Sequence, residues 1–229
     1  MAKRIVFLPT GPEEANLFKE VLIDFKWIPG MAISQAQKSV ANLHASIAEQ
    51  ISIENTLEVS TRSLSRLGLQ LSAFNLQVIV EGKLTSVETG YQSSKLFQKG
   101  GPYLDLLEGT SILSKRDPRL KNSGEIVGFQ FSQEIWPLRE SPNFYDFLYI
   151  KGLLNTDLRN EARNYQAFTD IAFSQISLDY KKRKSYNCQA RSVCIYISLL
   201  NRMPESEILP FLHSVGTTSQ PSVSQLDLF

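Results

Sequence analysis

The chain has 229 residues, 42 % apolar and 21 % charged, with a formal net charge of +1. That is enough for a real core in one ordinary globular domain, and it excludes a generic polyanion binder. No apolar stretch is long enough to span a bilayer. The basic start Met1-Ala2-Lys3-Arg4, followed only by the short run Ile5 to Leu8, lacks the length and cleavage site of a signal peptide, so a cytoplasmic location is expected.

Residues 3–8 read as a short buried strand ended by Pro9 to Pro12, and Trp27-Ile28-Pro29-Gly30 reads as a turn. From Ser34, a residue type that caps helices, the spacing of Ala36, Val40, Leu43 and Ile47 predicts a helix to Gln50. Leu57 to Thr61 and Gln77 to Val80 have strand character, the second followed by the turn Glu81-Gly82. A helix is predicted over Val87 to Phe97, stopped by Gly100-Gly101-Pro102, with a shorter one over Tyr103 to Leu107. Ser114 to Ser123 reads as a charged loop, Gly124 to Phe131 as a strand and Asn143 to Leu154 as a buried helix. Phe168 to Phe173 reads as extended, and Gln189 to Asn201 as an amphipathic helix. The expected architecture is α+β, mostly helical around a small sheet, as a single domain over 1–213. Residues 214–224 have linker composition, and Gln225 to Phe229 turn apolar again.

The residue types exclude several chemistries. Two cysteines, Cys188 and Cys194, stand six apart, which on a helix sends them to opposite faces, so no structural disulfide is expected. Two distant histidines, His44 and His213, make no zinc or iron ligand set, and neither a metal nor a cofactor is expected, although magnesium needs only a carboxylate or two. Signatures of serine hydrolases, P-loops, dinucleotide folds and zinc proteases are absent. Two basic patches stand out, Lys115, Arg116, Arg119 and Lys121, then Lys181 to Lys184 with Arg191 beyond. Solvated loop charge and phosphate contact both account for them.

What remains is one predicted helix. Glu88, Tyr91, Gln92 and Lys95 stand at i, i+3, i+4 and i+7, so an acid, a phenol, an amide and an amine share a face. A polar helix face is more often a solvated surface than an active site. The segment from Val87 to Phe97, however, resembles the E-x-x-Y-Q-x-x-K helix of the NADAR superfamily. Leu71-Ser72-Ala73-Phe74-Asn75 resembles its F-S-N-F-type loop, and Ser114-Lys115-Arg116 its A-K-x-x-G-R region. Trp136 before the helix from Phe144 resembles the tryptophan that precedes the family's M-x-x-x-L helix. Trp27-Ile28-Pro29-Gly30, Gly100-Gly101-Pro102-Tyr103 and Phe168-Thr169-Asp170-Ile171 are similar to the branch paired, as antitoxins, with DarT-type toxins. The likeness spans 3–200. The W-G-x-G and N-x-L-G-x-x-L-x-x-x-R segments of the wider family are replaced here by Lys184 to Cys194, so the residues closing the pocket on that side are not implied.

The resemblance implies an N-glycosidase that removes ADP-ribose from guanine in DNA and so counters a DarT-type DNA ADP-ribosyltransferase. Under that reading Glu88 and Lys95 are catalytic: Lys95, desolvated, attacks the opened sugar as a Schiff-base nucleophile and Glu88 moves the protons. Alanine at either position is expected to spare the fold, since both lie on an amphipathic helix. Asn75 and Asp170 are expected on ribose hydroxyls, with Tyr91, Gln92 and Gly30 shaping the pocket. Lys115 and Arg116 are expected on pyrophosphate or DNA phosphate. Trp27 and Tyr103 are base-stacking candidates against an ordinary core role. Two other readings belong to the same residues: a housekeeping glycosidase acting on a phosphoribosylamine of riboflavin synthesis, and a non-catalytic antitoxin or adaptor.

The tail carries a separate signal. Gln225-Leu226-Asp227-Leu228-Phe229 resembles the Q-L-[SD]-L-F pentapeptide with which bacterial replication and repair proteins dock on the sliding clamp. A coil of the length of 214–224 reaches roughly 15–20 Å on average, enough to tether the domain beside a clamp on DNA, with the nucleoid as its expected place in the cell.

Overall fold

The computed structural model describes residues 1–139, 142–173 and 187–217. In chain order the strands are β1 (Ala2–Pro9), β2 (Phe18–Phe25), β3 (Thr56–Glu58), β4 (Gln77–Val80), β5 (Lys83–Ser86), β6 (Lys95–Phe97), β7 (Ile126–Phe131), β8 (Glu134–Trp136) and β9 (Ala167–Thr169). The helices are α1 (Ile33–Ile51), α2 (Arg66–Gln70), α3 (Val87–Ser93), α4 (Ser111–Arg116), α5 (Arg119–Asn122), α6 (Phe144–Leu154), α7 (Leu158–Ala162), α8 (Gln189–Leu200) and α9 (Glu205–Thr217), with a 3-10 helix over Leu104–Glu108. The class is α+β, and the chain divides into two compact units, one formed by 1–72 and 157–205, the other by 73–156 and the segment from Ser206.

The first unit is built on a four-stranded sheet in the order β2-β1-β9-β3. β1 and β2 are antiparallel from Ala2 opposite Phe25 to Pro9 opposite Phe18, and β3 runs parallel to β9. Val40, Leu43 and Ile47 of α1 bury against Val6, Ile23, Phe25, Ala167 and Ile171, while α8 packs on β1 and β9. β2 was not expected from the sequence. Its apolar run is interrupted by Glu20 and Asp24, charges suited to the edge strand it forms. α1 begins after Ala32 rather than Ser34, and the Gln35 Oε1 accepts the Ala32 N–H at 3.1 Å in place of a serine cap. α8 is not amphipathic: every residue from Ala190 to Leu199 is buried, including Arg191, which had been read with the basic patch. Its neighbours 181–184 lie outside the described residues.

The second unit holds the hairpin β4–β5, turned through Glu81 and Gly82 at φ 47° and 76°, and the three-stranded sheet β6-β7-β8. Its centre is aromatic. Trp136, fully buried, lies 4.5 Å from the Phe147 ring and 5.4 Å from Phe144, and Phe129 stacks on Phe144 at 4.9 Å. α6 starts with Asn143, whose side chain accepts the Asp146 N–H while Asp146 accepts the Asn143 N–H. The charged stretch 114–123, expected as a loop, forms the end of α4 and the whole of α5, broken only at Asp117-Pro118. α9 continues to Thr217, so Ser214 to Thr217 of the expected linker are helical. Gly216 lies so close to Trp136 that a Cβ would meet the ring at 2.1 Å. The rest of that linker and the pentapeptide 225–229 lie outside the described residues. No helix among the described residues is long and apolar enough to cross a membrane.

Candidate functional site

The site grows from α3. Ser86 caps it, accepting the Thr89 N–H at 3.0 Å, and all seven of its residues are buried. Gly90 permits that burial, because a Cβ there would meet the Val80 side chain at 2.8 Å. The helix predicted to Phe97 stops at Ser93. The Ser93 and Ser94 hydroxyls donate to the Gly90 carbonyl at 3.0 and 2.8 Å, and the chain then enters β6, where Lys95 stands opposite Phe129. Lys95 is therefore a strand residue, yet its Nζ still lies 4.8 Å above the Tyr91 ring.

Burial pushes the Lys95 amine down to about 8; Glu88 opposes that shift and Lys115 adds to it. Glu88 is only 6 % exposed, and its Oε1 accepts from Gln92 Nε2 at 2.9 Å. The same oxygen meets Lys115 Nζ at 3.3 Å. Tyr91, 7 % exposed, is held edge-on by Tyr145 at 5.1 Å and tilted against Phe129 at 5.2 Å. A buried acid and a low-pKa amine that feel each other's charge thus meet beside an aromatic ring, a combination suited to proton transfer and to carbonyl-type addition.

The loop before β4 joins this group. The Ala73 carbonyl accepts the Glu88 N–H at 2.8 Å, the Phe74 carbonyl accepts the Ser111 hydroxyl at 3.1 Å, and the Phe74 ring lies 4.8 Å beneath Lys115 Nζ. Asn75 is exposed beside it. Phe74 was not singled out from the sequence, although the loop motif contained it. Arg116 is exposed at the end of α4. Arg119 is occupied by Asp105 and Asp117, with Nη2–Oδ2 at 2.6 Å to Asp105, and stacks 4.5 Å over Tyr103. Tyr103 is thereby given an internal partner, and its hydroxyl also hydrogen-bonds Ser123.

Three expected residues belong to the first unit. Trp27 is 36 % exposed and carries the Arg4 guanidinium 5.2 Å over its ring. Gly30, at φ 135°, has a conformational reason to be glycine, since a Cβ would collide with the Gln35 amide. Asp170 follows β9, its Oδ1 accepting the Ala172 N–H at 3.0 Å and Oδ2 the Gln189 Nε2 at 3.1 Å. Beside it lies a cluster with no sequence signal. Glu58, fully buried, accepts from Thr169 Oγ1 at 2.7 Å, from Ile171 N–H at 2.8 Å and from Ser60, and Thr169 contacts His44 Nε2 at 3.0 Å. Burial and the charge of Asp170 raise the Glu58 carboxyl to about 8 against those hydrogen bonds, while burial lowers His44 to about 4.

No curated protein matches the chain. The DarT1-associated NADAR antitoxin family, in contrast, matches residues 2–213, a span that takes in every element described except the last turn of α9, and the chain belongs to that family.

Proposed function

We propose that the protein is an N-glycosidase that removes ADP-ribose from guanine bases in DNA, and that this hydrolysis is how it acts as antitoxin to a DarT1-type DNA ADP-ribosyltransferase. The observation that supports it is the half-buried Lys95 amine, lowered to about 8, beside the buried Glu88 carboxylate inside a family match over 2–213. The chemistry follows from the bond to be broken. A ribosyl carbon attached to the exocyclic amine of guanine opens its ring to an imine, and the neutral Lys95 amine adds to that carbon. Glu88 takes the proton that the Lys95 nitrogen sheds on addition and passes it to the departing base nitrogen, which leaves as the free guanine amine; water then hydrolyses the Lys95 Schiff base to free ADP-ribose and the amine. Tyr91 and Gln92 hold the two reacting side chains, Asn75 reaches ribose hydroxyls, and Arg116 meets phosphate.

Incubation with oligonucleotides carrying ADP-ribose on guanine or on thymine, read by product mass, tests the reading. Release from guanine only is expected. Release from thymine alone, or from neither, refutes the assigned specificity.

The pentapeptide Gln225 to Phe229 supports docking on the bacterial sliding clamp, with Leu226, Leu228 and Phe229 as apolar anchors and Gln225 as the hydrogen-bonding end. Deleting 225–229 is expected to abolish binding to the purified clamp and leave hydrolysis of a free oligonucleotide unchanged. Equal clamp binding by both proteins removes the assignment.

A further inference from the structure

Lys115 matches a phosphate ligand by residue type and by its neighbour Arg116, but its ammonium is turned onto Glu88. Its Nζ is 3.3 Å from Glu88 Oε1 and 4.8 Å over the Phe74 ring. The helix that carries it is fixed at both ends. Ser111 hydrogen-bonds Ser86, the cap of α3, and the Phe74 carbonyl, while the buried Ser114 donates to the Leu106 carbonyl at 3.1 Å. The ammonium of this half-exposed side chain is thus carried to the buried Glu88 by a braced helix. Arg119, the next cation along, is spent on Asp105 and Asp117.

We infer that Lys115 is a positioning residue, a fixed positive charge that orients the Glu88 carboxylate and sets the charge balance of the Glu88–Lys95 pair, rather than a ligand for substrate phosphate. This rests on the reading of Lys95 as an amine nucleophile. Gln92 and Lys115 both engage Oε1 of Glu88, which leaves Oε2 as the oxygen for the base nitrogen. The electrostatics act in one direction. Glu88 favours a proton on Lys95 and Lys115 opposes it, so removing Lys115 takes away a repulsion and also leaves Glu88 uncompensated. Both effects add a proton to Lys95 and cost nucleophile.

Of the other charged groups on elements around α3, Arg116 of α4 is exposed, and the rest have partners of their own. Glu108 pairs with Lys83 and Asp105 with Arg119, on the 3-10 helix. Asp146 of α6 closes its own helix cap, and Lys151 of α6 lies over Phe131. From β7 the residue opposite Lys95 is Phe129, and from α6 the Tyr145 ring meets Tyr91.

The test compares Lys115→Met and Lys115→Arg with the wild type in the full-length protein. Lys95 acylation by acetic anhydride across pH, quantified by mass spectrometry without substrate, reports the amine directly. Lys115→Met is expected to move the Lys95 labelling curve up by roughly half to one pH unit, about three- to ten-fold less free amine at neutral pH, with Lys115→Arg close to wild type. On an ADP-ribosylated guanine oligonucleotide the rising limb of kcat should move by the same amount, with recovery above pH 9 and little change in KM. A raised KM with an unmoved labelling curve overturns the inference and restores the phosphate role. If the labelling curve moves while the wild type releases no ADP-ribose, the inference stands for Lys95 and the glycosidase reading fails.

Discussion

Lys95 and Glu88 make opposite demands on their surroundings, and the second unit meets both with neighbouring side chains. As the proposed nucleophile, the amine must shed its proton near neutral pH, which partial burial over Tyr91 promotes; the carboxylate must keep a polar partner while buried, which Gln92 supplies. A side chain lowered to about 8 is neutral in about one molecule in ten at pH 7, so turnover should rise with pH and level off above about 8. Because α3 is buried throughout, alanine at Glu88 would open space in a packed helix. Glu88→Gln and Lys95→Met are therefore the cleaner variants, and losses of about two or more orders of magnitude in kcat are expected from each, with the fold retained and the Lys95→Met unfolding midpoint raised at neutral pH, where the fold opposes the lysine charge. Borohydride reduction in the presence of substrate should leave a mass adduct on the peptide containing Lys95. Turnover without such an adduct removes the Schiff base from the mechanism.

At the level of elements, legibility follows the strength of the local signal. β1, β4, α1 and α6 were readable because their apolar spacing agrees with what covers them, and the Glu81-Gly82 turn because two successive left-handed residues favour glycine. β2 was hidden by Glu20 and Asp24, which suit an edge strand but break an apolar run. α3 was overextended because Lys95-Leu96-Phe97 continues a helical pattern. What ends the helix is a pair of serine hydroxyls on the Gly90 carbonyl and pairing with β7, a partner about thirty residues away whose register the helix cannot announce. The site followed the same division. Glu88, Tyr91, Gln92 and Lys95 come together as their motif suggested, although Lys95 arrives from a strand. The pairing of Lys115 with Glu88 depends on α4, which the charge pattern of 114–123 disguised as loop.

The stability of the molecule against pH is set in part by two buried groups that pull in opposite directions. Glu58, raised from 4.5 to about 8, holds a proton that the unfolded chain has already lost, so its contribution is full below pH 4.5, declines as pH rises and is gone above 8. His44, lowered from 6.5 to about 4, refuses a proton that the unfolded chain accepts, so its contribution is present above 6.5 and is lost as pH falls towards 4. From 4.5 to 6.5 the two slopes oppose each other; above 6.5 the Glu58 slope is no longer offset by His44, and stability falls as pH rises towards 8. Lys95 acts above this range and the lowered Asp105, Asp117 and Glu205 below it. Glu58→Gln keeps the shape and an oxygen for the Ile171 N–H. Its amide donates to Thr169, as the protonated carboxyl does, and the Thr169 hydroxyl then donates to His44 Nε2, so the chain of hydrogen bonds survives. Urea unfolding of the wild type should show little change in stability from pH 5 to 6.5 and a fall between pH 6.5 and 8. Glu58→Gln should rise from pH 4.5 to 6.5 and stay level beyond. Trp27 shares a unit with Glu58 and Trp136 lies in the other, so emission measured with and without Trp27→Phe assigns each transition to its unit. A fall between pH 6.5 and 8 that persists in Glu58→Gln would locate the titrating group elsewhere.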